Sequence, residues 1–258
     1  LMKGRLLLTP CLALVLVGVL LACSPLIMAE AGEGFSAEAQ SSSQPWTLPD
    51  YMKNWEFGID IDEGRGPRSF ADLFFPLWRP DAETRILFFE PRFSVEDGHG
   101  LFNLGLGVRQ LIRNRSWMLG SNLFYDYETE HSHYRVGTGL EALSSYAQLR
   151  SNIYVAISPA RITQSGTTSN IIEEAVTGFD LEAGAPIPYY SKLKIFGGYE
   201  WYNFEKFENR EGWSVRAEYE PIRAIVVDLI LHANNKRQTG WGVKVAFRLP
   251  FGENSPAV

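Results

Sequence analysis

The run Trp117-Met-Leu-Gly-Ser-Asn-Leu-Phe-Tyr-Asp-Tyr127 decides how the chain folds. Trp117, Leu119, Leu123, Tyr125 and Tyr127 stand at one parity, and Gly120, Asn122 and Asp126 at the other. Successive side chains of a strand point to opposite faces, so this run makes a strand with one apolar and one polar surface.

Eleven further segments obey the same rule. Upstream lie Trp55, Phe57, Ile59 and Ile61; Leu73, Phe75 and Leu77; Leu87, Phe89 and Phe93; and Phe102, Leu104, Leu106 and Val108. Downstream come Tyr134, Val136 and Leu140; Leu149, Ile153, Val155 and Ile157; Phe179, Leu181, Ala183 and Ala185; and Leu193, Ile195, Tyr199 and Trp201. Trp213, Val215, Ala217 and Tyr219; Ile225, Val227, Leu229 and Leu231; and Trp241, Val243, Val245, Phe247 and Leu249 complete a set of twelve. The expectation is an all-β chain forming a twelve-stranded antiparallel barrel of the outer membrane over residues 54–251.

Alternation alone also suits a soluble sandwich, so the connections decide. Transmembrane barrels pair short periplasmic turns with longer outer loops. The odd-to-even connections run from Asp62 to Ser69, Ser94 to Leu101, Glu128 to His133, Pro159 to Ala175, Phe204 to Gly212 and Ala233 to Thr239. They are generally longer than the even-to-odd ones, such as Ser144-Ser145 and Ile222-Arg223. The first set is therefore expected outside the cell. Trp55, Trp117, Tyr199, Trp213, Tyr219 and Trp241 stand near the ends of the apolar sets, where aromatic girdles sit at headgroup level.

The N-terminus agrees with export. Lys3 and Arg5 precede an apolar run from Leu12 to Ala22, and Ala29 and Ala31 follow at A-x-A spacing, so residues 1–31 read as a signal peptide. A second reading makes Cys23 of Leu20-Leu21-Ala22-Cys23 a lipidation site, although Leu two residues before the cysteine fits that poorly. Both cysteines, Cys11 and Cys23, precede Ala31, so cleavage there leaves no thiol for a disulfide or a metal. Residues 32–53, rich in Ala, Glu, Ser and Gln, read as a flexible periplasmic lead-in, and 252–258 as a short tail. Without Lys3, Arg5 and Glu30, the 24 basic and 30 acidic residues become 22 and 29, a net charge near −7 that disfavours nucleic acid as a partner.

The polar parity carries Glu56, Asp60, Glu90, Arg92, Arg109, Asp126, Arg135, Glu141, Arg150, Asp180, Glu182, Lys192, Lys194, Glu200, Arg216, Glu218, Asp228, Lys244 and Arg248. Mixed signs predict an ion-paired, filled lumen; an ion-selective pore favours rings of one sign. Inward glycines, among them Gly105, Gly107, Gly137, Gly184 and Gly198, leave room for strand curvature or for something threading the lumen.

The histidines His99, His131, His133 and His232 fall mostly in loops. His131-Ser132-His133 is a weak metal pair without a third ligand, and no Ser-His-acid arrangement is evident. The expectation is a chain that is not an enzyme, with no catalytic, cofactor or metal residues.

Asn103-Leu-Gly-Leu-Gly-Val-Arg109, Trp117-Met-Leu-Gly-Ser-Asn-Leu-Phe-Tyr-Asp126, Arg135-Val-Gly-Thr-Gly-Leu-Glu141, Asn152-Ile-Tyr154 and Thr177-Gly-Phe-Asp-Leu-Glu-Ala-Gly-Ala-Pro186 resemble the β-domain of the intimin/invasin family, the inverse autotransporters. The resemblance covers Trp55 to Phe251 and implies a twelve-stranded barrel of the Gram-negative outer membrane whose lumen passes the chain's own C-terminal passenger. Seven residues follow Phe251, roughly 23 Å when extended, so passenger display is not expected to carry over and cell adhesion is expected from the loops. The last strand, Gly240 to Phe251, resembles the signal read by the barrel assembly machinery, apart from Pro250. Expected partners are outer-membrane lipid, that machinery, and a host or cell-surface ligand met through the extracellular loops, of which Pro159 to Ala175 is the leading candidate. The alternative function is a small-solute pore.

Overall fold

The structure is a computed structural model that describes residues 54–78, 84–112, 116–165, 170–236 and 239–250. The signal peptide, the lead-in, both cysteines, Phe251 and the tail lie outside the described residues. Twelve strands follow in order: β1 (Asn54–Asp62), β2 in two segments (Arg68–Asp72 and Phe75–Trp78), β3 (Arg85–Glu96), β4 (His99–Ile112), β5 (Trp117–Glu128) and β6 (Tyr134–Ser144). Then come β7 (Gln148–Ala156), β8 (Thr177–Ile187), β9 (Tyr190–Asn203), β10 (Arg210–Ile222), β11 (Ile225–Asn234) and β12 (Gly240–Pro250).

Each strand pairs antiparallel with its neighbours in sequence, and β1 also pairs with β12 along its whole length, from Asn54↔Pro250 to Asp62↔Gly242. The sheet is thereby closed into a barrel of twelve strands. Closure removes the free edges that a lipid-exposed sheet cannot tolerate, since no water is present there to satisfy them.

Parity sorts the side chains as the alternation requires. Ile59, Leu106, Leu123, Leu140, Ile153, Leu181, Val215, Leu229 and Phe247 are all exposed on the outer wall, whereas Phe88, Phe196, Val226, Ala246 and Asp228 are buried inside. The outer wall is predominantly apolar, broken by small hydroxyl residues such as Ser121, Thr138 and Ser151, which suits hydrocarbon and not water.

Two elements depart from the sequence reading. The second strand begins at Arg68, close to the expected end of the first connection at Ser69, but it is interrupted at Leu73 and Phe74. The pairings Asp72↔Arg92 and Phe75↔Phe89 keep one register across the gap and set Leu73 opposite Pro91. Leu73 N–H donates to the Pro91 carbonyl (3.0 Å), but proline has no N–H to return the bond. The indole of Trp55 donates to the Phe74 carbonyl (3.1 Å) beside the break.

The connection expected from Ser94 to Leu101 is only Asp97-Gly98, because β3 and β4 pair up to Glu96↔His99. Both turn residues have positive φ, 50° and 84°, the backbone of a two-residue hairpin that suits an Asp-Gly pair. At the same end of the barrel, the connection from β7 to β8 spans residues 157–176 and holds its own hairpin, Arg161–Ser165 with Asn170–Glu173, outside the barrel sheet. The connections at this end are thus unequal, two residues at β3–β4 and twenty at β7–β8.

Candidate functional site

The inner wall is the candidate site, and its charged residues form a lattice. Arg216 on β10 reaches both oxygens of Glu182 on β8 (2.9 and 2.7 Å), Glu218 on its own strand (2.8 Å) and Asp228 on β11 (3.6 Å). Lys244 on β12 bridges Asp228 (3.1 Å) and Glu56 on β1 (3.0 Å). Arg248 joins Glu56 (3.0 Å) to Glu220 (2.8 Å), and Lys194 on β9 holds Glu218 and Glu220, each at 2.8 Å. With Arg150 against Glu182 (3.4 Å), the lattice runs unbroken from β7 through β12 to β1.

Five cations and five carboxylates make it up, so it carries no net charge. Such a lattice stiffens a wall, and it lacks the one-sign rings of an ion filter. Desolvating these ions costs free energy, which is offset only because each charge is met by several partners.

Elsewhere the pairs are local. Arg68–Asp60 ties β2 to β1 (2.9 Å), Arg92–Asp72 ties β3 to β2 (3.4 Å), and Arg135–Asp126 ties β6 to β5 (2.5 Å). Arg109 on β4 pairs with Glu141 on β6, passing over Gly120 of the intervening β5; a Cβ on that glycine would collide with the Glu141 carboxylate. Lys192, expected inside, is instead exposed near a turn and donates to the Pro221 carbonyl (2.8 Å).

The inner wall also contains rings that the alternation does not announce. Phe70, Phe88, Phe124, Phe196 and Tyr202 each lie over a glycine of an adjacent strand: Gly58, Gly107, Gly137, Gly184 and Gly178 in that order. A Cβ on any of those glycines would strike the ring. The inward glycines thus make room for the barrel's own aromatics. Guanidinium groups cover several of these rings on the lumen side, with Arg216 4.0 Å from the Phe196 centroid, Arg109 4.5 Å from that of Phe88 and Arg92 4.6 Å from that of Phe70.

The lattice, with Phe88 and Phe196, occupies the lumen toward the short-turn end, whereas Tyr202 stands near the loop end. Toward the loop end a cup of about 820 Å³ remains, lined by polar groups from β7 to β11 and by the loops above them. Asp180 on its wall accepts from Tyr154 (2.6 Å) and Asn152 (2.8 Å).

All four histidines lie at the loop end, each against a different element. His99 contacts Glu130 (3.4 Å), His131 contacts Glu173 of the loop hairpin (2.6 Å), and His232 contacts Asp62 (2.9 Å). His133 Nδ1 lies 3.2 Å from the Ser158 hydroxyl, which also accepts from the Tyr134 N–H (3.0 Å). Burial holds the His133 imidazole below its usual titration range, and Arg161 and His131 push the same way against Glu128 and Glu173. His131 and His133 thus serve different partners, and no cluster of three or more metal-ligating side chains occurs among the described residues. Ser158 is 6% exposed and engaged twice, which suits a structural peg.

The sequence model of the inverse autotransporter β-domain matches residues 27–254. The chain belongs to this family. An attaching and effacing protein homolog of Escherichia coli K12 is 27% identical to this inverse autotransporter β-domain over 167 residues, covering 65% of the chain and 55% of the relative. Invasin of Yersinia enterocolitica is 27% identical over 206 residues, covering 74% of the chain and 24% of the relative. The chain therefore spans about half or less of the length of these relatives. Among solved structures, a chain from work on in-meso crystallization of membrane proteins superposes with a TM-score of 0.67 at 21% identity, covering 77% of this chain and 84% of that one. The KdgM porin gives 0.50 at 9% identity, with 75% and 98% covered. These likenesses establish the fold, an outer-membrane barrel in contact with lipid.

Proposed function

We propose that this barrel is a non-catalytic surface scaffold of the adhesin type, delivered by a signal peptide over residues 1–31, inserted by the barrel assembly machinery through its last strand, and presenting the β7–β8 connection outside the cell. A lead-in over 32–53 and a tail over 252–258 flank the barrel. The observation that carries the reading is the way this connection is fastened to the barrel mouth. His131 of the β5–β6 loop holds Glu173, and the Lys206 N–H of the β9–β10 loop donates to Glu174 (3.4 Å). The base of the connection is thus held on two sides by neighbouring loops, and restraint of this kind lowers the entropy cost of meeting a partner. The family relatives named as an invasin and as an attaching and effacing protein homolog support the same reading.

The test is adherence to epithelial monolayers by a non-adherent Gram-negative host displaying the barrel. Display is expected to raise adherence severalfold, and replacing residues 159–175 with a Gly-Ser linker is expected to return it to background at equal surface abundance. Adherence that is no greater with the barrel than without it would overturn the adhesive reading.

A further inference from the structure

The cup at the loop end holds two exposed cations that its other contacts leave without a carboxylate. Four carboxylates line it, and each is already engaged: Asp62 by His232, Asp180 by Asn152 and Tyr154, Glu182 by Arg150 and Arg216, and Glu200 by Arg210 (3.2 Å). Two lining cations have no carboxylate within ion-pair distance among the described residues. Arg65, in the loop after β1, is fixed only through its backbone N–H on the Asp62 carbonyl (3.1 Å), and Lys236, in the loop after β11, has its ammonium 5.6 Å from the Phe204 ring. Both are exposed.

Their loops are neighbours. β1 and β11 flank β12, and the Glu63 N–H crosses to the Trp241 carbonyl (2.9 Å). The lining counts four carboxylates and four cations, so what stands out is pairing and not net charge: Arg65 and Lys236 are the two lining cations without a carboxylate partner among the described residues.

Apolar surface stands next to this positive corner. Phe204 and Phe207 of the β9–β10 loop meet edge to face at 6.4 Å, both line the cup, and Phe207 is 50% exposed. A volume of about 820 Å³ lies in the range of small-molecule sites, which combine apolar walls with a few placed polar groups. A ligand that satisfies both features carries an anion on a ring or other flat apolar body: the anion takes Arg65 and Lys236, and the ring lies on Phe207. A small inorganic anion would leave the rings unused, and a neutral ring would leave the cations unpaired.

We propose that the loop-end cup is a binding site for a carboxylate- or phosphate-bearing small molecule with an apolar ring face, anchored by Arg65 and Lys236 and stacked on Phe207. The site is separate from the β7–β8 hairpin to which adhesion is assigned, so either assignment can fail alone.

The probe is 4-methylumbelliferyl β-D-glucuronide, which joins a carboxylated sugar to a flat fluorescent ring. Its glucoside counterpart lacks the carboxylate. Fluorescence anisotropy with the folded barrel in detergent, read against barrel-free micelles, is expected to show saturable glucuronide binding at least tenfold tighter than glucoside binding and weakened by added salt. The double variant Arg65→Ser/Lys236→Ser is expected to erase that preference, and Phe207→Ala to weaken the glucuronide severalfold. Lys192→Ser, which removes a cation at the opposite end of the barrel, is expected to leave binding unchanged. Heat-modifiable mobility reports that each variant is folded. Equal binding of glucuronide and glucoside, unchanged binding by the double variant, or competition by inorganic phosphate as strong as by the glucuronide would overturn the proposal.

Discussion

At the scale of the residue, the inner wall is built from joints between an aromatic ring and the absent side chain of a glycine across the strand pair. Phe88 and Gly107 are the plainest case: they are paired in register, and a Cβ on Gly107 would come within 2.5 Å of the ring tip and 2.9 Å of Asn122 Cβ. Gly107→Val is therefore expected to destabilise the barrel by about 1 to 3 kcal/mol through overpacking, read as a lower urea midpoint for the folded band. Phe88→Ala in the same chain should restore part of the loss. If the two changes simply add, the joint is not the cause. Sequence parity missed Phe88 because it stands in the apolar run Ile86-Leu-Phe-Phe89, where alternation marks Leu87 and Phe89 and gives no reason to set the ring between them inside. The only available signal was the glycine-rich partner strand, Gly105-Leu-Gly107, whose missing side chains leave room for a ring.

At the scale of the element, the strands were legible and the connections were less so. Period-two alternation reports each strand through its middle but fades at the ends, which is why β4 proved to start at His99 and the expected loop from Ser94 shrank to Asp97-Gly98. The β5–β6 loop supplies the element's own prediction. His133 is half-buried against Ser158 and favours its neutral form, so its titration in the folded loop lies below the ordinary 6.5. The unfolded loop binds a proton more readily, and stability rises with pH wherever that is so. The contribution is complete above pH 6.5 and is lost as the pH falls below it. Urea midpoints at pH 7.5 and 5.5 should therefore differ more for the parent chain than for His133→Gln. An equal drop in both would assign the acid sensitivity to another group. Sequence reading set His131 and His133 side by side as a candidate metal pair, whereas folding gives each a separate tether, because the hairpin that supplies Glu173 lies about forty residues away in the chain.

At the scale of the whole molecule, closure depends on contacts between the chain's two ends. β1 and β12 pair over nine positions, and Glu56 holds both Lys244 and Arg248 across a separation of nearly two hundred residues. The charge-balanced lattice that completes this seam, together with the buried Phe88, Phe196 and Val226, fills the turn end of the lumen. Planar-bilayer recording is expected to find a folded barrel that is silent or only flickers. Steady channels with a wide open state would overturn the filled-lumen scaffold and restore the small-solute pore. The mixed signs of the inward parity foretold the lattice, since opposite charges on adjacent strands pair when the register aligns them. The open cup was beyond sequence reading, because an unfilled volume depends on how loops from distant parts of the chain meet.

The two-residue turn between β3 and β4 also bears on how anything reaches that cup. In a ring of twelve strands this turn stands six strands from the β9–β10 loop that carries Phe204 and Phe207, directly across the mouth. The low parapet lies there, while the twenty-residue connection after β7 stands nearer to the cup. A visitor has its clearest line of entry slantwise, over Asp97-Gly98 and down across the lumen. An approach over a two-residue turn suits a slender molecule better than a globular protein. The mouth sorts by girth before it sorts by chemistry.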